Sequence, residues 1–280
     1  MTADELIRAG KVDEAIAAAS DAVRKNPAKA NLRVLLFQLH CIAGNWDRAL
    51  TQLNISADLD PLNLLMAQVC RHALTCEALR AEIFAGKNTP MVLGQPPEWL
   101  GQVIQANALH AAGKADAAAE VRDKAFEAAP AISGTINDEP FAWIADADPR
   151  LGPVVEAMVD GKYYWIPFAN IREIGLEKPV DLRDIVWISA NFTWINGGTS
   201  VGLLPVRYAG SEKSPDPAIR MSRKTDWQTE GPLVVGLGQR EFATDQKSYA
   251  ILEIRKITLD QPEGTGKELP ASAREATENG

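Results

Sequence analysis

Gly10-Lys11-Val12-Asp13-Glu14-Ala15-Ile16, followed by Pro27, and Gly44-Asn45-Trp46-Asp47-Arg48-Ala49-Leu50, followed by Pro61, repeat one pattern 34 residues apart. Gly and Pro are 17 residues apart in both copies, and a third copy runs from Gly113 through Ala118 and Ala125 to Pro130. This is the spacing of tetratricopeptide-like helical hairpins. Gly turns the chain between two helices, the small Ala lets the second helix approach the first closely, and Pro ends it. Hairpins of this kind cannot bury their apolar faces alone, so they stack, and stacking builds a curved surface that grips another protein. The N-terminal part therefore reads as a binding module.

Length and composition bound the rest. A chain of 280 residues accommodates two domains, each with its own core. A formal net charge of -8 argues against a nucleic-acid binder, which needs a concentrated basic surface. Cys41, Cys70 and Cys76 are an odd number inside apolar helical sequence and read as small buried hydrophobes in a reducing compartment. No stretch reaches the ~18 uncharged apolar residues of a membrane helix. The first residues, with Asp4, Glu5 and Arg8, do not make a secretion signal. The expectation is a cytoplasmic protein with no membrane and no nucleic-acid partner.

Composition changes near residue 135, because 5 of the 18 aromatic residues precede position 140 and 13 follow it. The first part is Ala- and Leu-rich. Thr2 to Glu5 reads as a capping box, Val12 to Lys25 as the partner helix of the first hairpin, and Leu32 to Ala43 with Trp46 to Leu59 as the second hairpin. Leu62 to Phe84 reads as a further hairpin without the repeat signature. Lys87 to Pro97 is a connector, and Leu100 to Ala129 the last hairpin. In the second part Ile132 to Asp148 is a crossing segment and Leu151 to Met158 a short helix. Strand signals follow at Tyr163 to Pro167, Ile171 to Leu176, Ile185 to Ala190, Phe192 to Ile195, Val201 to Arg207, Leu233 to Leu237 and Tyr249 to Thr258. Asn196-Gly197-Gly198 is a hairpin turn signal. The fold class is α+β: a tetratricopeptide-like helical-repeat domain over 1–135, a small antiparallel β-barrel-like domain over 136–258, and a disordered tail over 259–280. Trp165, Trp187 and Trp194 are assigned to the barrel core.

The sequence carries little that resembles an active site. His40, His72 and His110 fall on separate helical segments, and the second domain has no His or Cys, which removes nucleophile–His arrangements from it. Asp138, Glu139, Asp146 and Asp148 have the oxygen donors of a hard-cation site, but capping and turn formation account for them more simply. Gly236-Leu237-Gly238 has two glycines of a dinucleotide loop and no following helix. Arg220, Arg223 and Lys224 form a basic run that either meets an acidic partner or is solvated. No catalytic, metal-binding or cofactor-binding residue is assigned.

A family resemblance runs along the chain. Leu36-Phe37-Gln38-Leu39, Gly44 to Leu50, Arg71 and Cys76 to Gly86 are followed in order by Pro96 to Leu100, Trp143 to Asp148, Tyr163 to Phe168, Asp181 to Asp184, Leu204 to Tyr208 and Gly236 to Arg240. Together they resemble the ImpE family, also called TagJ or SciE. The resemblance implies an accessory component of the bacterial type VI secretion system, without catalytic activity or cofactor. It further implies association with the small sheath subunit TssB and with the AAA+ ATPase ClpV that recycles contracted sheath. In the repeat register set by Gly44, the concave face of the second hairpin presents Asn31, Val34, Gln38 and Cys41 as the partner-binding residues, with a segment of the sheath subunit in the groove. Two other readings stand beside the adaptor: a self-associating structural subunit, and an enzyme using a divalent cation at the acidic connector.

Overall fold

The computed structural model describes residues 1–260. Seven helices come first, with one short strand between the fifth and sixth: α1 (Ala3–Arg8), α2 (Val12–Lys25), α3 (Ala30–Ile42), α4 (Trp46–Leu59), α5 (Leu64–Phe84), β1 (Met91–Val92), α6 (Glu98–Ala111) and α7 (Ala115–Ala128). Thr2 forms the expected capping box with Glu5, each side chain accepting from the other's backbone N–H. Gly10, Gly44 and Gly113 adopt φ of +76°, +70° and +75°, the left-handed conformation that closes a helix. Ala15, Ala49 and Ala118 are fully buried. One expected hairpin is corrected: Leu64–Phe84 is a single helix of 21 residues. Nothing between Leu64 and Phe84 is Gly or Pro, so the chain has no point at which to turn.

The remaining chain builds sheets. The strands are β2 (Gly134–Ile136), β3 (Glu139–Phe141), β4 (Ile144–Asp146), β5 (Val154–Val159), β6 (Lys162–Pro167), β7 (Ile171–Leu176), β8 (Trp187–Trp194), β9 (Thr199–Pro205), β10 (Thr225–Glu230), β11 (Leu233–Gly238), β12 (Glu241–Thr244), β13 (Ser248–Ala250) and β14 (Lys256–Leu259), with a short helix α8 (Pro217–Arg220) before β10. Eight of them join β1 in one nine-stranded sheet, in the order β1-β6-β5-β9-β8-β7-β14-β2-β3. Every neighbouring pair is antiparallel except β1 with β6. β13-β12-β4 and β10-β11 form two smaller sheets.

The expected barrel is therefore corrected to an open sheet, because β1 and β3 stand at its two ends and do not pair. The short helix expected at Leu151 to Met158 is strand β5, buried along its whole length. Val154, Val155 and Val159 favour a strand covered on both faces, where periodicity is lost. The tail expected at 259–280 begins too early, since Leu259 pairs with Gly134 and is buried. Residues 261–280 lie outside the described residues.

Two apolar cores lie on either side of the large sheet. Ile136, Ile166, Ile188, Phe192 and Ile257 belong to one, on the face away from the helices. The other joins Phe37, Cys41 and Trp99 of the helices to Met158, Trp165 and Trp187 of the strands. Trp165 and Trp187 thus fill the seam between helices and sheet, and Trp194 packs in the first core. The three cysteines are free and buried.

Candidate functional site: a trough between helix α5 and the sheet

Helix α5 is fixed to the sheet by buried charges. Arg80 donates from Nε to Glu156 Oε2 at 2.7 Å and from Nη2 to Glu156 Oε1 and the Arg207 carbonyl, both at 2.7 Å. Glu77, one turn before it, accepts from Trp187 Nε1 at 2.8 Å. Glu156 also takes hydrogen bonds from Tyr163 and Arg240, and Arg240 reaches on to Asp146. Trp165 Nε1 donates to the Tyr163 hydroxyl at 2.9 Å. Every member of this network is buried, so each charge depends on its partners in place of water. Burial and the neighbouring Asp148 push the Asp146 carboxyl up to about 6, against the pull of Arg240.

The next stripe of the same helix turns to solvent. Leu65, Val69 and His72 recur at helical spacing, and they face Ser189, Val201 and Leu203 of β8 and β9 across two adjoining cavities of about 300 and 550 Å3. Leu65 is 75% exposed, Val69 43%, Val201 66%, and Leu62 just before the helix 89%. An apolar row that is unshielded and set in a concavity is the candidate interaction surface. Its rim is polar, with Arg183 paired to Asp181 and Asp184 at one end. Gly161 closes the other end: a β-carbon there would meet the His72 ring at 2.9 Å, and φ is +74°.

The four residues expected to meet a partner do not form a surface together. Asn31 is exposed and Val34 half-buried, but Gln38 and Cys41 are only 6% and 0% exposed. The physical reason is that the C-terminal half of α3 is packed by α2, α4 and the turn Leu182–Ile185, and its end meets the segment after β9. Arg207 donates from Nη1 to the Ile42 carbonyl at 2.7 Å and from Nη2 to the Cys41 carbonyl at 3.1 Å, capping the helix where its dipole is negative. The basic run is absorbed in the same way. Arg223 donates to the carbonyls of Ile7 and Arg8 at the end of α1, Arg220 pairs with Asp13, and Lys224 pairs with Asp216 and Asp226.

The acidic connector is dispersed. Asp146 and Asp148 are buried against Arg240 and Arg150, whereas Glu139 is outside with Lys247 and Tyr249. No group of three or more His, Cys, Asp and Glu among the described residues could hold a metal ion. His40 is buried, with its pKa lowered by desolvation and by Arg48, and His110 meets Glu230 at 2.9 Å. Gly236 belongs to β11, under the Tyr208 ring and donating to Asp148. No described helix is long and apolar enough to cross a membrane. The trough was hidden in the sequence by the reading of Leu62 to Phe84 as a hairpin, which placed Leu65 and Val69 inside it. The available signal was a long apolar segment with no turn residue.

Comparison with known proteins agrees with this architecture and places the chain. The signature described as ImpE protein matches residues 138–258. The chain is 47% identical over 260 residues to the type VI secretion system accessory component TagJ of Pseudomonas aeruginosa, covering 93% of this chain and 92% of that protein. It is also similar to the crystal structure of protein VPA1032 from Vibrio parahaemolyticus, with a TM-score of 0.85 and 25% identity over 93% of this chain and 98% of the other. The chain belongs to the ImpE family, the family of TagJ.

Proposed function

We propose that this chain is a non-catalytic cytoplasmic accessory component of a type VI secretion system that binds the small sheath subunit TssB through the trough beside α5, and is thereby linked to sheath recycling by ClpV. The observation that carries the docking role is the exposed pair Leu65 and Val69 facing Val201 and Leu203 across an open cavity, with exposed Leu62 just before the helix. Burying such a row supplies about 25 cal/mol for each Å2 of apolar surface removed from water. The accessory role is supported by the likeness to TagJ along nearly the whole chain. A non-catalytic role agrees with the way the charged groups of the seam are used, Arg80, Glu156, Arg240 and Asp146 being paired with one another.

Co-purification of tagged full-length protein with TssB from the same gene cluster tests this reading. The parent should retain TssB, and Leu65→Asp together with Val69→Asp should lose it while keeping the parent's circular dichroism. Retention of TssB by the folded double variant would place docking elsewhere, with the exposed part of α3 around Asn31 and Val34 as the next surface to test.

A further inference from the structure

The trough has an open strand edge beside it. Strand β9 pairs with β8 along its whole length, from Thr199 opposite Thr193 to Pro205 opposite Trp187. Towards β5 it pairs only at Leu203 opposite Met158 and Gly202 opposite Val159. After Val159 the chain turns through Asp160 and Gly161, both at positive φ, and returns as β6. Among the described residues, Thr199, Ser200 and Val201 therefore continue past the end of β5 with no strand on that side.

Ladder geometry says which backbone groups are free. Trp194 N–H donates to the Gly198 carbonyl, so residues 198, 200, 202 and 204 direct their backbone groups towards β8. Thr199, Val201 and Leu203 direct theirs the other way. Met158 faces Leu203, but opposite Val201 and Thr199 there is no strand among the described residues. The cavity of about 550 Å3 lined by Asp160, Gly161 and Val201 occupies that place.

Resting on the reading of the trough as the docking site, we propose that its occupant enters as an extended segment that adds a strand to the Thr199–Val201 edge and lays alternate apolar side chains against Leu65 and Val69. The edge supplies the donors and acceptors that only an extended backbone satisfies in register, and side chains of a strand alternate faces, so every second residue of the segment points to α5. The exposed strand β10 offers a longer edge but carries Asp226 and Glu230, charges of the kind that keep edges unpaired. Thr199 to Leu204 carries no charge.

Hydrogen–deuterium exchange of the full chain, alone and with saturating TssB, reads the proposal directly. The amides of Thr199 and Val201 should slow at least tenfold in the complex. Val201→Pro removes an edge N–H that takes no part in the β8 ladder and should weaken TssB binding more than tenfold, whereas Val201→Ala, which keeps the backbone, should weaken it severalfold less. Unchanged exchange at both amides, or equal effects of Pro and Ala, would overturn the strand reading even where Leu65→Asp abolishes binding and the docking site itself stands. Full binding by Leu65→Asp would remove the docking reading and this one with it. If Val201→Pro does not fold, the exchange measurement on the parent decides.

Discussion

Glu212 occupies the place where Gly44 would carry a side chain. An ideal β-carbon on Gly44 would stand 2.5 Å from Glu212 Cγ, and the glycine's φ of +70° is left-handed as well. The turn between α3 and α4 is thus fitted against the segment that follows β9. The turn between α1 and α2 meets the same segment, with Pro217 and Arg223 around Gly10. Glycines read in the sequence as hairpin turns also mark where the C-terminal part rests on the helices.

Gly44→Ala should consequently lower stability by about 2–4 kcal/mol, the sum of left-handed strain and overpacking. Gly113 has φ of +75° with nothing within 4 Å of its would-be β-carbon, so Gly113→Ala should cost only about 1 kcal/mol. Urea unfolding of the two variants checks the difference. Equal losses would mean that contact with Glu212 contributes nothing.

Arg80→Ala should cost about 3–5 kcal/mol, because it removes one of the two guanidinium partners of buried Glu156 and the ion-pair partner of buried Glu77. Arg80→Lys should recover little of this, since a single ammonium cannot reproduce the paired hydrogen bonds from Nε and Nη2 to both Glu156 oxygens. Denaturant midpoints for both variants, with unchanged slopes, are the measurement. A near-parental midpoint for Lys would show that charge alone suffices at this position.

Stability against pH should carry the mark of Asp146. Its pKa is raised from an ordinary 3.8 to about 6 by burial, so the folded protein holds a proton that the unfolded chain releases. The contribution is full below about pH 4 and is lost as pH rises through about 6, opposite in sense to that of Glu139, which Lys247 holds below the ordinary carboxylate range. The stability of the parent minus that of Asp146→Asn should therefore fall between pH 4 and 6 and stay level above. A difference that rises over this interval would reverse the sign assigned to Asp146.

Much of this architecture was legible because local chemistry agreed with the fold. The capping box at Thr2, the Gly turns, the buried Ala positions and strand β7 at Ile171–Leu176 were all readable from residue type and spacing. The sequence was silent where tertiary burial decides. Val154–Val159 lost its alternation because both faces are covered, and β10, exposed along nearly its whole length, had no apolar pattern to show. Gln38 and Cys41 were misplaced for a related reason: repeat register orients a side chain on its helix, but the turn Leu182–Ile185 that packs on α3 and Arg207 at its end come from far along the chain. Leu65 and Val69 were legible as apolar and not as exposed.

Calorimetric titration of TssB into the parent, Leu65→Asp, and Asn31→Asp with Val34→Glu tests the docking surface most directly. An apolar contact replaced by an unpaired carboxylate costs a few kcal/mol, or about a hundredfold in affinity. The account predicts a loss of that size for Leu65→Asp and parental affinity for the α3 variant. Parental affinity for a folded Leu65→Asp, with loss in the α3 variant, would contradict it.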